Sequence, residues 1–232
     1  MWFPLFDPTL ILLVPAIVLA LYAQAKVQST YQRYLRVPAS SGLTGAAVAR
    51  QLLDRAGVRN VRIEVTPRTL GDHYDPRARI LRLSPEVYQS SSLAAIGVAA
   101  HEAGHAIQHH TRYLPLYLRS AFVPVAQLGS NLAFPLLFLG IILGWPELAR
   151  IGVYAFVGVV LFQLITLPVE FNASNRAIAL LSTGGYVHRQ EIRAAREVLG
   201  AAALTYLAAA LMAVLNLIRL LLISSAMGGR EE

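Results

Sequence analysis

Gly97-Val98-Ala99-Ala100-His101-Glu102-Ala103-Gly104-His105-Ala106-Ile107-Gln108 is the stretch on which the reading of this chain turns. It lies in a run of small and apolar residues that predicts a helix from about Ser92 to His110. Residues four apart share one helix face, so the imidazoles of His101 and His105 can reach a single zinc ion. Glu102 is turned about 100° round the helix from His101, which sets its carboxylate beside the ion rather than on it. That is the place for a general base toward a metal-activated water, with the metal bringing the water's pKa toward neutrality and the carboxylate taking up the proton. Gly104 leaves room for another backbone or a substrate to approach. With 6 histidines in 232 residues, this pattern arises by chance in roughly 0.6% of such chains. A helix whose histidines merely meet partners at a surface is therefore the weaker reading.

Two histidines do not complete a catalytic zinc site, which takes three protein ligands and keeps one position open. A metzincin would carry glycine at 108 and histidine at 111, but the residues there are Gln108 and Thr111. His109 lies about 12 Å along the helix axis from His101, too far to close on the same ion. It and His110 read as solvated or interfacial histidines. The better third ligand is Glu170, in Leu167-Pro168-Val169-Glu170-Phe171-Asn172 at the end of an apolar stretch. A carboxylate there is costly unless it faces water, a partner or a cation. Asp54, Glu64, Asp72, Asp75, Glu86, Glu191 and Glu197 are rivals, and none is fixed by a membrane anchor near the metal-binding helix.

Further out, the composition is that of a membrane protein. Only 14% of residues are charged and 56% are hydrophobic, against about 25% and 45–50% in soluble domains. Four stretches, Pro4–Ala25, Ala121–Leu143, Ile151–Val169 and Ala201–Ile223, each approach the roughly 20 helical residues that cross a bilayer core. Pro4–Ala25 reads as a retained span rather than a cleaved signal, since no basic residue precedes its apolar part. Gly140 and Gly144 stand at the small-xxx-small spacing of closely packed spans. Cysteine is absent, which excludes a disulfide scaffold, a thiolate zinc site and a cysteine nucleophile.

The segments expected are a first span (1–25), a polar catalytic region (26–120), a hairpin of two spans (121–169), a polar segment carrying the third ligand (170–200), and a last span with its tail (201–232). Near span ends, Lys26, Arg33, Arg36, Arg112, Arg119, Arg176, Arg189, Arg193 and Arg196 oppose Arg150, Arg219 and Arg230. The positive-inside rule then puts the polar regions in the cytoplasm and both termini outside the cell (inner) membrane. The net charge of +7 suits an anionic bilayer surface. Nucleic acid is not an expected partner, because no dense basic run or aromatic stacking platform is present.

Within the polar region, Thr44–Ala56 predicts a helix capped by Thr44, with Gly57 just beyond it. Val61, Ile63 and Val65 alternate with polar residues as in a half-buried strand, and Arg79–Leu83 is a second strand. Gly71-Asp72-His73-Tyr74-Asp75-Pro76 between them is rich in turn formers, and Pro85 suits the first position of a helix. Arg79–Leu83 is expected to offer its edge to an extended peptide.

Several runs carry a family resemblance: Gly97–Gln108, Asp72-His73-Tyr74-Asp75-Pro76-Arg77, Leu83-Ser84, Leu167-Pro168-Val169-Glu170-Phe171-Asn172-Ala173-Ser174, Ala195-Arg196-Glu197-Val198-Leu199 and Ala202-Ala203-Leu204-Thr205-Tyr206. In that order they resemble the YugP-like family of bacterial membrane zinc metallopeptidases, over nearly the whole chain. More distantly the chain is similar to the HtpX-like membrane gluzincins, whose third ligand begins a Glu-x-x-x-Asp stretch. The resemblance implies a membrane-bound peptidase with His101, His105 and Glu170 as zinc ligands and Glu102 as catalytic base. The chain departs from the gluzincin pattern at Ser174, where that stretch has aspartate, so Ser174, Asn172 or a residue elsewhere must support the zinc histidines. Zinc peptidases often use a nearby His or Tyr to stabilise the transition state, a role open to His73 and Tyr74; packing in a hairpin turn is the alternative for both.

The expected protein is mainly α and integral to the membrane: four transmembrane helices with a cytoplasmic, zincin-like (gluzincin) α+β catalytic region. It binds one zinc ion per chain and hydrolyses peptide bonds of protein or peptide substrates at the membrane face. The alternative is a non-catalytic membrane scaffold or chaperone partner with a structural or vestigial metal site.

Overall fold

Within the described residues each apolar stretch is helical, and the helices run beyond it. The computed structural model describes residues 8–228. A 3-10 turn (Pro8–Leu13) leads into α1 (Val14–Leu35), followed by α2 (Gly45–Arg55), β1 (Arg62–Val65), β2 (His73–Asp75) and β3 (Ile80–Leu83). Then come α3 (Pro85–Gln89), α4 (Leu93–His110), α5 (Leu114–Leu143), α6 (Pro146–Gly184) and α7 (Ile192–Gly228). Residues 4–7 of the first expected span lie outside the described residues. Among the described residues four helical stretches are long and apolar enough to cross a membrane: Pro8–Leu35, Leu114–Leu143, Pro146–Gly184 and Ile192–Ala226. Large apolar side chains on them stay bare, Ile11 and Ile142 at 73% exposure and Tyr154 at 70%, a surface suited to lipid rather than water. Helix α6 continues well past Glu170, and α7 begins before Ala201. Hydropathy marks where lipid contact ends, whereas alanine, leucine, arginine and glutamate carry a helix on through polar surroundings.

The chain divides into two compact units, one of which holds 8–22, 118–167 and 205–228 of the described residues. Its core joins Ala133 and Leu137 of α5, Ala149, Val153 and Phe156 of α6, and Ala213 and Leu220 of α7. The α5 and α6 backbones nearly touch: a Cβ on Gly140 would meet Ala149 N at 2.6 Å, and one on Gly152 would meet Ala133 O at 2.6 Å. Gly144 takes no part in this packing. It adopts φ +61° just past α5, where the Trp145 amide turns back to Gly140 O, so the expected glycine pair divides into one packing residue and one helix stop.

The other unit holds 23–117 and 168–204. Thr44 caps α2 by accepting from the Ala47 amide, and Ser92 caps α4 through the Ala95 amide. Leu52 and Leu53 of α2, Leu81 and Leu83 of β3, and Ile96 of α4 are fully buried together, each burial stabilising the fold by about 1.5–3 kcal/mol. Arg50 donates to Val58 O and Val61 O, fastening the link from α2 to β1. The sheet order is β1-β3-β2, with β1 parallel and β2 antiparallel to β3.

Two expectations fail on this sheet. Strand β3 is central, so both its edges already pair and the proposed peptide addition at Arg79–Leu83 has no free edge to use. His73–Asp75, read as part of a turn, is a strand in register with β3, Tyr74 opposite Leu81. Pairing with β3 overrides the local turn preference of the flanking aspartates. Asp75 still makes a turn, accepting from the Arg77 and Ala78 amides, while Asp72 reaches away to the Ser84 amide and hydroxyl.

Candidate metal centre

Two features bring the candidate metal ligands together within the second unit. On α4, His101 and His105 project from successive turns of a helix whose neighbours press close because it is built largely of alanine and glycine. On α6, Glu170 lies one turn before Ala173, and Gly104 lets that turn approach: a Cβ there would stand 2.8 Å from Ala173 O. Glu170 Oε2 lies 3.3 Å from His101 Nε2 and 3.4 Å from His105 Nε2, and the two Nε2 atoms are 3.2 Å apart. Bonds of 2.0–2.1 Å to a tetrahedral zinc ion separate neighbouring ligand atoms by about 3.3 Å. The triangle therefore fits a zinc ion, with the fourth corner left open. Among the described residues this is the one group of three His, Asp or Glu side chains gathered to hold a metal.

The hydrogen bonds behind the imidazoles point the same way. His105 Nδ1 lies 3.0 Å from Gln108 Oε1, and His101 Nδ1 lies 3.1 Å from Ser174 Oγ. Gln108 spends both amide protons on Val169 O at 2.9 Å and Asn172 Oδ1 at 3.0 Å, so its Oε1 accepts and His105 Nδ1 donates. The Nε2 lone pair of His105 then faces the Glu170 carboxylate, an arrangement that a cation relieves. Glu102 is buried, yet its carboxylate makes no hydrogen bond or ion pair among the described residues, leaving it uncommitted.

The other expected residues are placed as follows. Ser174 supports His101, whereas Asn172 reaches Gln108 rather than a zinc histidine. His73 is exposed, its Nδ1 on Gly71 O and its Nε2 beside Arg82. The Tyr74 hydroxyl and His109 Nδ1 share a hydrogen bond of 2.8 Å. His109 is thus no free interfacial histidine: its ring packs between those of Tyr74 and Tyr117. Burial and the Arg79 charge push His109 below its ordinary pKa, while burial pushes Tyr74 up to about 12. Burial also raises Asp72 despite its bonds from Ser84, and the Glu102 charge adds to the rise.

Gln108 is the residue the sequence reading missed, having considered it only as the wrong residue for a metzincin. Its signal was an amide side chain three residues after a ligand histidine, on a helix otherwise too apolar to hold one unpartnered.

Residues 9–225 match the family described as "Putative neutral zinc metallopeptidase". The chain is 47% identical over 222 residues to the "Putative membrane protease YugP" of Bacillus subtilis (strain 168), covering 95% of this chain and 97% of that protein. The chain belongs to the YugP-like family. No solved structure matches it. The family description points to a zinc metallopeptidase, and the relative together with four helices apolar enough for a bilayer points to a membrane protein.

Proposed function

We propose that this protein is a zinc-dependent endopeptidase of gluzincin type, multi-pass in the inner membrane, which cleaves protein or peptide substrates at the cytoplasmic face. The reading rests above all on three ligand atoms 3.2–3.4 Å apart beside an uncommitted carboxylate. His101, His105 and Glu170 would hold one zinc ion. When bound, zinc supplies a Lewis acid that polarises a peptide carbonyl and acidifies a water. Glu102 accepts the proton of the attacking water and passes it to the departing amine, the work of a general base followed by a general acid. Burial suits Glu102 to this because few competing waters reach the carboxylate. The cytoplasmic orientation, with both termini outside, follows from nine basic residues near span ends on one side against three on the other.

The test is Glu102→Gln in full-length protein purified in detergent, assayed for zinc content and for cleavage of an unfolded protein substrate. Zinc content should match wild type while cleavage falls by about 10²–10⁴-fold. Full cleavage by this variant refutes the role of Glu102. Zinc retained by a His101→Ala, His105→Ala, Glu170→Ala triple variant refutes the site.

A further inference from the structure

We infer that Arg176, Asn172 and Gln108 form a polarity relay that fixes how His105 is presented to the metal. This inference rests on the zinc reading above and deepens it. The chain of contacts begins at Arg176, whose guanidinium is always protonated and can only donate. Its Nε–H meets Asn172 at 2.8 Å, so the atom there must be Oδ1, the acceptor. That orients the Asn172 amide, and Oδ1 also accepts from Gln108 Nε2 at 3.0 Å. With its second amide proton on Val169 O, Gln108 has only Oε1 left to turn toward His105 Nδ1. His105 must then carry its proton on Nδ1 and offer Nε2 as a lone pair. The permanent charge of Arg176, acting through Asn172, and the Val169 carbonyl, which can only accept, together set the direction of every bond.

The relay is sheltered. Gln108 is fully buried, where an amide turned the wrong way would leave acceptor facing acceptor at two points, a cost of about 1–3 kcal/mol each. Behind Gln108 stands Asn172, a neutral amide whose orientation is not self-determined. A carboxylate in such a place accepts whichever way it turns; an amide must be told. Arg176 is placed to do that, four residues after Asn172 on the same face of α6. These three are positioning residues, since none is assigned contact with substrate or metal.

The experiment measures zinc affinity of the full-length protein in detergent by competition with a chromophoric chelator, with melting of the metal-free protein recorded beside it. The visible spectrum of the Co²⁺-substituted protein reports ligand geometry independently of activity. Gln108→Leu and Arg176→Met should each weaken zinc by about 10–100-fold, the range for groups that orient metal ligands. Asn172→Ala, a milder change should Gln108→Leu fail to fold, should fall in the same direction. Asn172→Asp should bind zinc within a few-fold of wild type and keep its cobalt spectrum, because a carboxylate still accepts from both Arg176 and Gln108. A merely structural role lowers melting of the metal-free protein in Asn172→Ala and Arg176→Met while zinc affinity stays put, and that result overturns the relay. So does an Asn172→Asp protein that loses as much affinity as Asn172→Ala. Wild-type protein that binds no zinc through His101, His105 and Glu170 instead overturns the zinc reading, and the relay falls with it.

Discussion

Replacing Gly104 with alanine tests how the ligand triangle is held. The added Cβ would stand 2.8 Å from Ala173 O and 3.4 Å from Ala173 Cα, both backbone atoms that cannot rotate aside. Ordinary contact requires the two helices to part locally by about 0.6 Å. Overpacking of this kind costs about 1–3 kcal/mol, and alanine returns about 1 kcal/mol over glycine as a helix former. Metal-free protein should therefore lose only about 0–2 kcal/mol. The metal feels more. Glu170 lies on the turn that must move, and metal–ligand bonds tolerate only about 0.2 Å. Zinc affinity should drop by at least about 10-fold, or 1.4 kcal/mol. Detergent-solubilised protein melted with and without zinc separates the two effects: the stabilisation added by zinc should shrink more than the metal-free stability does. Unchanged zinc affinity in a folded Gly104→Ala protein would refute the view that this contact sets the distance to Glu170.

Two further outcomes concern other parts of the chain. Glu191 accepts from the Ser40 amide and hydroxyl and the His188 amide; burial opposes its charge, but these bonds hold it below the usual glutamate value. Its contribution is complete above the unfolded pKa of about 4.3 and fades as pH falls through the lower folded value. Hydrogen exchange at Ser40 and His188, corrected for intrinsic rate, should accelerate below about pH 4, and in Glu191→Gln it should be fast already at neutral pH. In the other unit, Gly152→Val forces a side chain against Ala133 O and Leu137 N and should cost about 1–3 kcal/mol in detergent unfolding; wild-type stability there would mean that α5 and α6 are free to separate.

What the sequence made legible divides by the range of the forces involved. Caps, periodicity and helical spacing are local, and the Thr44 cap, the start of α4 near Ser92 and the His101–His105 pair were all readable from neighbours a turn away. Glu170 was readable for a different reason: an acid in so apolar a setting demands a partner, and the histidines were the partners at hand. The sheet was only half legible. Turn formers around His73 and Tyr74 are a local signal, but pairing with β3, which decides the matter, depends on a strand whose central place no single-strand pattern encodes. Gln108 marks the limit most sharply. Read alone it is a polar residue near a helix end, where solvent is the ordinary explanation; in the fold it is fully buried and its amide is oriented by Asn172 and Arg176, on another helix more than sixty residues away. Burying an amide is tolerable only if all its hydrogen bonds are met. A glutamine on the inner face of this helix therefore requires another element to bring it acceptors, and here α6 supplies them as Val169 O and Asn172 Oδ1, the latter oriented by Arg176.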